Sequence, residues 1–99
     1  MWHKVAKVSD MADGGAQTLQ IDQQPIALFK LGGLFYAIQN ACLHRGGPLA
    51  DGHLEGTVVT CPWHGWEFDV KSGECRTMEG AKLKTYPTKI ENEDVFIQL

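Results

Sequence analysis

Apolar and polar residues alternate along this chain in short runs, and turn-forming residues separate the runs. The pattern predicts extended segments at residues 2–8, 17–21, 26–31, 34–38, 57–60, 66–70, 83–85, 89–91 and 95–99. Between them lie Gly14-Gly15, residues 22–25, Gly32-Gly33, residues 71–73 and residues 92–94, all rich in residues that accept tight or left-handed conformations. The Gly32-Gly33 pair is the clearest hairpin signal. Apolar residues flank it on both sides, and two glycines supply both positive φ angles of a type I′ turn. No window keeps a 3.6-residue apolar period long enough for a substantial helix, and the one place left for a helical turn is residues 78–82. The fold class is therefore all-β, a small sandwich or barrel, with residues 1–99 as one domain. The longest stretches without strand character, residues 39–56 and 61–65, carry most of the cysteine and histidine. Polar, glycine-rich loops on a rigid sheet are where sites are usually built.

Composition narrows the partners. Ninety-nine residues with 43% hydrophobic content suffice for a modest core without disulfides. Nine Lys and Arg against 12 Asp and Glu leave a net charge of -3, and no basic run suited to a phosphate backbone is present, so nucleic acid is not an expected partner. A mildly acidic surface suits brief docking on a basic patch, because complementary charge speeds encounter more than it strengthens binding. No stretch approaches the roughly 20 apolar residues that span a bilayer, and residues 1–10 lack the apolar centre of a secretory signal. A cytoplasmic protein without membrane contact is the expectation. Three cysteines, an odd number, fit metal binding or burial in a reducing compartment better than a disulfide framework.

Cys42-Leu43-His44 and Cys61-Pro62-Trp63-His64 place two good ligands in each of two loops, with 16 residues between the pairs. With 3 Cys and 4 His, about 0.12 accidental pairs are expected at either spacing, and both pairs together in about one per cent of such chains or fewer. Two cysteines with two histidines suit either tetrahedral zinc or one 2Fe-2S cluster. Zinc-finger pairs normally join Cys to Cys and His to His, whereas here each loop offers one of each, which favours a cluster of two irons gripped from both loops.

Cys42-Leu43-His44-Arg45-Gly46-Gly47 and Cys61-Pro62-Trp63-His64-Gly65-Trp66 resemble the two cluster-binding boxes of the Rieske family. The resemblance extends to Pro48-Leu49-Ala50-Asp51-Gly52, Leu54-Glu55-Gly56, Phe68-Asp69, Ser72-Gly73-Glu74 and Tyr86-Pro87, which read as in soluble Rieske ferredoxins and oxygenase Rieske domains, and the chain is similar to the ferredoxin components of aromatic-ring-hydroxylating dioxygenase systems. It implies a Rieske-like fold of stacked antiparallel sheets with a cluster-binding subdomain at one tip, formed by loops at about residues 40–56 and 61–66. Cys42 and Cys61 would bind the inner iron of one [2Fe-2S] cluster, and His44 and His64 the outer. Two neutral imidazoles in place of two thiolates leave the cluster less negative and easier to reduce. The implied role is an electron carrier, not itself an enzyme, acting as a monomer. It would accept single electrons from an NAD(P)H-dependent flavoprotein reductase and pass them to a terminal oxygenase docked near His44, His64 and Trp63. A small Rieske subunit of a nitrite reductase-type oxidoreductase and a structural zinc module are the alternatives.

The departures from the family pattern sharpen the type. High-potential relatives carry an extra cysteine in each box, paired in a disulfide, where this chain has Gly47 and Trp63; they carry Ser and Tyr hydroxyls where it has Trp66 and Phe68. Hydroxyls donated to cluster sulfur raise the potential, so their absence predicts the low end of a span of about -150 to +300 mV. Many relatives also have a proline in the third loop near Met78-Glu79-Gly80, and this chain has none there. Cys75 lies outside both boxes and reads as a small buried hydrophobe, His53 as a solvated loop residue and His3 as a strand residue. Arg45 reads as exposed. Trp63 reads as the better docking candidate of the two box tryptophans, Trp66 dividing between shielding and plain core packing. Gly46, Gly47 and Gly65 serve geometry, by letting backbone amides approach the sulfurs.

Overall fold

The run Ile26-Ala27-Leu28-Phe29 has no polar member, and the fold buries both of its faces. In a computed structural model of the chain, which describes residues 1–43, 47–63 and 65–99, all four are completely buried. Side chains alternate across a strand, so Ala27 and Phe29 enter one apolar core while Ile26 and Leu28 enter another on the opposite side. An uninterrupted apolar run is what a strand with no solvent face requires.

That strand is β3 (Gln24–Leu31), central in an antiparallel sheet ordered β2 (Ala16–Ile21), β3, β4 (Leu34–Gln39), β8 (Thr85–Tyr86). On one side packs a sheet of β1 (Trp2–Lys7), β10 (Asp94–Gln98) and β9 (Thr88–Glu91), which sends Ala6, Val95 and Ile97 into the core shared with Ile26, Leu28, Phe35 and Ala37. On the other packs a small sheet of β5 (His53–Glu55), β6 (Val58–Thr60) and β7 (Glu67–Asp69), whose Val59 and Phe68 meet Ala27, Phe29 and Ile38. The all-β expectation holds, in the form of three stacked antiparallel sheets. Short 3-10 turns at Val8–Asp10 and Leu49–Asp51 are the helical elements among the described residues.

Three hairpins share one turn geometry. Gly32 and Gly33, at φ 57° and 80°, join β3 to β4 with Leu31 paired to Leu34, as the sequence predicts. Asp22 and Gln23 (φ 50° and 67°) and Asn92 and Glu93 (φ 50° and 72°) do the same for β2–β3 and β9–β10 without glycine. Register there is set by the flanking strands, which hold non-glycine residues in left-handed conformations they would otherwise avoid.

Four details differ from the sequence-based expectations. Pro25 belongs to β3 and pairs with Gln20, where the sequence suggested a turn; it sits at the strand's start, and its carbonyl accepts from the Asn40 N–H. The segment expected at residues 83–85 starts its strand two residues later, at Thr85, because Leu83 N–H donates to Gly73 and Lys84 bonds through its backbone to Gln39. Residues 78–82 close as a reverse turn, Ala81 N–H to Met78 carbonyl, with Gly80 at φ 88° in place of a helical turn. Finally, β5 forms inside a stretch read as loop; Leu54 is its one apolar residue, too few for a period-2 signal, and pairing with Val59 supplies the order.

Candidate metal centre

The first cysteine-bearing loop leaves the end of β4 and is fixed at its base by two amide side chains. Asn40, 8% exposed, accepts from Leu49 N–H at its backbone carbonyl (2.7 Å) and from Ala50 N–H at Oδ1 (2.8 Å). Gln39 donates Nε2–H to the Ala41 carbonyl at 2.9 Å and accepts from Lys84 N–H at Oε1 at 2.8 Å. Ala41 and Pro48 then bridge, and Cys42 N–H donates to the Gly47 carbonyl at 2.9 Å, so the chain leaves and returns over one narrow neck. Neither amide was singled out in the sequence, although an Asx or Gln side chain at a strand end is a recurrent way to satisfy loop backbone.

The second loop joins β6 to β7. Cys61 N–H donates to the Trp66 carbonyl at 2.8 Å, and Gly65 N–H to the Cys61 carbonyl at 3.0 Å. Gly65 takes φ 79°, a conformation that favours glycine and supports its assignment to loop geometry. The third segment leans on β7. Cys75 bridges Phe68, its N–H donates to Ala81, and its Sγ accepts from Met78 N–H at 3.3 Å. Arg76 N–H and Thr77 Oγ1 bond the backbone of Glu67 from the same side. Without a proline, this loop takes its shape from those bonds and from the Gly80 turn.

Cys42 and Cys61 are brought together in one apolar cluster with Leu49, Val59, Phe68 and Leu83, and are 3% and 2% exposed. Their neighbours face outward: Leu43 is 43% and Trp63 61% exposed, and Pro62 and Gly65 are exposed too. His44, Arg45, Gly46 and His64 lie outside the described residues, so the imidazole half of the expected ligand set is not part of this geometry. Gly47 is buried against the second loop, where a Cβ would stand 2.9 Å from the Cys61 sulfur. Among the described residues its carbonyl accepts from Cys42 N–H. The other assignments fare as follows. Cys75 is a buried thiol in the same cluster, as a small hydrophobe would be; His53 is exposed, 3.6 Å from Glu55; His3 lies on β1, 3.8 Å from Asp22. Trp66 is half-buried against the core, tilted 44° to Phe68 at 6.4 Å, so core packing is part of its role.

The described half of the site fits an iron–sulfur group. Two buried cysteine sulfurs on adjoining loops provide a soft, water-shielded donor pair, and the bare Cα of Gly47 lets the Cys61 sulfur and the Trp63 ring approach where a side chain would crowd them. Among the described residues no helix is long and apolar enough to cross a membrane.

Comparison with known proteins agrees. Residues 1–87 match the model of the Rieske [2Fe-2S] domain. The ferredoxin component of the naphthalene 1,2-dioxygenase system of Pseudomonas putida is 35% identical over 99 residues, covering 99% of this chain and 95% of the relative. The 3-phenylpropionate/cinnamic acid dioxygenase ferredoxin subunit of Shigella boydii serotype 4 (strain Sb227) is 41% identical over 95 residues, 93% of this chain and 88% of the relative. Among solved structures, a chain from the complex of reduced oxygenase and oxidized ferredoxin in carbazole 1,9a-dioxygenase superposes with a TM-score of 0.90 at 28% identity, covering 97% of this chain and all of that one. With the paired cysteine loops, the three stacked sheets and this match over most of its length, the chain belongs to the Rieske [2Fe-2S] family and carries a Rieske-type [2Fe-2S] cluster.

Proposed function

We propose that this protein is a one-electron carrier, a single domain over residues 1–99, whose cluster is held by Cys42 and Cys61 on one iron and His44 and His64 on the other. It takes electrons from an NAD(P)H-dependent flavoprotein reductase and delivers them to a terminal oxygenase of the ring-hydroxylating dioxygenase type. It works as a cytoplasmic monomer and catalyses no reaction by itself. The observation that carries this reading is the convergence of Cys42 and Cys61, both buried in one apolar cluster while Leu43, one residue after the first, and Trp63, two residues after the second, face solvent.

The bound cluster supplies reversible one-electron chemistry with no bond made or broken in a substrate. The chain's own residues do the rest. Val59, Phe68 and Leu83 keep water from the cysteine sulfurs, which lowers the local dielectric and favours the less charged state. Asn40 and Gln39 hold the neck of the first loop, so Cys42 keeps its place when the electron count changes. Leu43 and Trp63 offer a partner exposed apolar surface beside the second residue of each ligand pair, His44 and His64, from which an imidazole edge gives an electron a short route out. Trp66 and Phe68, which have no hydroxyl to donate, keep the potential at the low end of the Rieske range.

The test is a redox titration followed by low-temperature EPR. A Rieske-type signal with a midpoint below zero supports the reading, and a midpoint well above zero contradicts the assignment to dioxygenase ferredoxins. A colourless zinc protein without acid-labile sulfide would overturn it altogether. Reduction by a flavoprotein reductase of a dioxygenase system, with onward oxidation by its oxygenase, tests the two partners.

A further inference from the structure

The backbone hydrogen bonds of the site close each loop on itself: Cys42 to Gly47 in the first, Cys61 to Trp66 and Gly65 to Cys61 in the second. Among the described residues, Gly47 of the first loop meets Trp63 and Cys61 of the second. A Cβ at Gly47 would stand 3.0 Å from Cγ and 3.1 Å from Cδ2 of Trp63, as well as 2.9 Å from the Cys61 sulfur. The indole therefore lies directly against the bare Cα of Gly47, beside the sulfur. Gly47 does not adopt a left-handed φ, so what the position demands is space, and the ring and the sulfur are what occupy it.

We infer that Trp63 is a positioning residue: laid across Gly47, its indole holds the first loop to the second and covers the Cys61 sulfur, which sets how long the cluster stays bound. This rests on Cys61 being a cluster ligand. The indole is 61% exposed, and part of what it buries lies against Gly47 of the first loop. A residue kept solely for a docking partner would have no need of a glycine opposite it. The two possible neighbours of a Cβ at 47 also differ in their freedom. Cys61, 2% exposed, is walled in by the core, while the more exposed indole is the one to give way outward. Enlarging Gly47 and shrinking Trp63 thus undo the same contact from opposite sides.

The test uses the cluster-loaded protein and the variants W63F, W63A, G47A and G47A/W63A. It reads the half-life of the visible cluster absorbance in excess EDTA, with the EPR spectrum of the reduced protein as a second readout. W63A and G47A are each expected to shorten the half-life about tenfold and to broaden the EPR signal, with W63F close to wild type. The double variant is expected to match the worse single variant, because residues sharing one contact are not additive. An unchanged half-life in W63A, or single effects that multiply to about a hundredfold in the double variant, would overturn the inference. Should W63A not accumulate as folded protein, G47A against W63F carries the same comparison. A wild-type protein without a Rieske signal would instead overturn the ligand assignment, which separates that failure from this one.

Discussion

The two apolar cores on either face of the β2–β3–β4–β8 sheet are built from the same residue types by different means. The core under β1, β9 and β10 is closed by long registers and by the chain ends: β1 pairs with β10 from Trp2 to Lys7, and the Met1 ammonium donates to the Leu99 carbonyl at 2.9 Å. Its buried members are mostly aliphatic and aromatic side chains, and its one ionisable buried group, Tyr86, bonds Gln24 Oε1 at 3.0 Å. The core under β5, β6 and β7 contains all three cysteines, and its roof consists of three-residue strands, tight turns and two loops held at their necks. One face invests in strand pairing and needs no ligand. The other leaves part of its order to be completed by a metal group, as small metal-binding domains do.

The sharpest way to break this comparison is to remove a ligand. C61S is expected to abolish the visible and EPR signature while far-UV circular dichroism keeps the β signal, and hydrogen exchange should accelerate over residues 40–66 and 74–82 but not in β3, β4 or β10. Loss of protection throughout would show that the two cores are a single cooperative unit. Next in size, F68A and I97A each empty a fully buried site, at about 3–5 and 2–5 kcal/mol respectively. Urea melts should show both losses, yet only F68A should shift the potential or hasten cluster release; an equal effect of I97A on the cluster would erase the distinction.

A smaller effect is expected at Gly73, at φ 81°, where an added Cβ would approach the Leu83 carbonyl to 2.6 Å. G73A should cost about 1–3 kcal/mol and loosen the Leu83 N–H to Gly73 bond that joins the third segment to the cysteine-bearing core. The smallest effect separates the cores by pH. Burial raises the Tyr86 hydroxyl above its ordinary pKa of 10.0. The unfolded chain therefore ionises first, so the contribution is complete below pH 10 and is lost as pH rises through the folded value. Y86F should flatten that alkaline decline in melting temperature and leave the cluster spectrum unchanged.

The two cores also differ in how much of them a sequence exposes. The first was legible because its strands are long and its turns carry chemistry: Gly32-Gly33 and the segments around residues 22 and 92 mark hairpin ends where the structure has them. Around the second, local signals thin out. β5 takes its order from Val59 across the hairpin, Pro25 enters a strand through a position with no N–H obligation, and residues 83–84 follow Gly73 and Gln39 instead of their own pattern. The cysteine pairs stood out by spacing alone, since chemistry at a site is carried by residue identity. What spacing could not show was the support: Asn40 and Gln39 at the neck, and the Gly47 gap filled by Trp63, depend on segments far apart in the chain.

The most direct test of the ligand assignment is pulsed EPR on the reduced protein labelled with 15N-histidine. Two coupled imidazole nitrogens are expected, with one lost in H44C and one in H64C, and the signal as a whole lost in C42S and C61S. A spectrum with no coupled histidine nitrogen, or with coupling that survives both histidine substitutions, would contradict the mixed cysteine–histidine cluster on which this account stands.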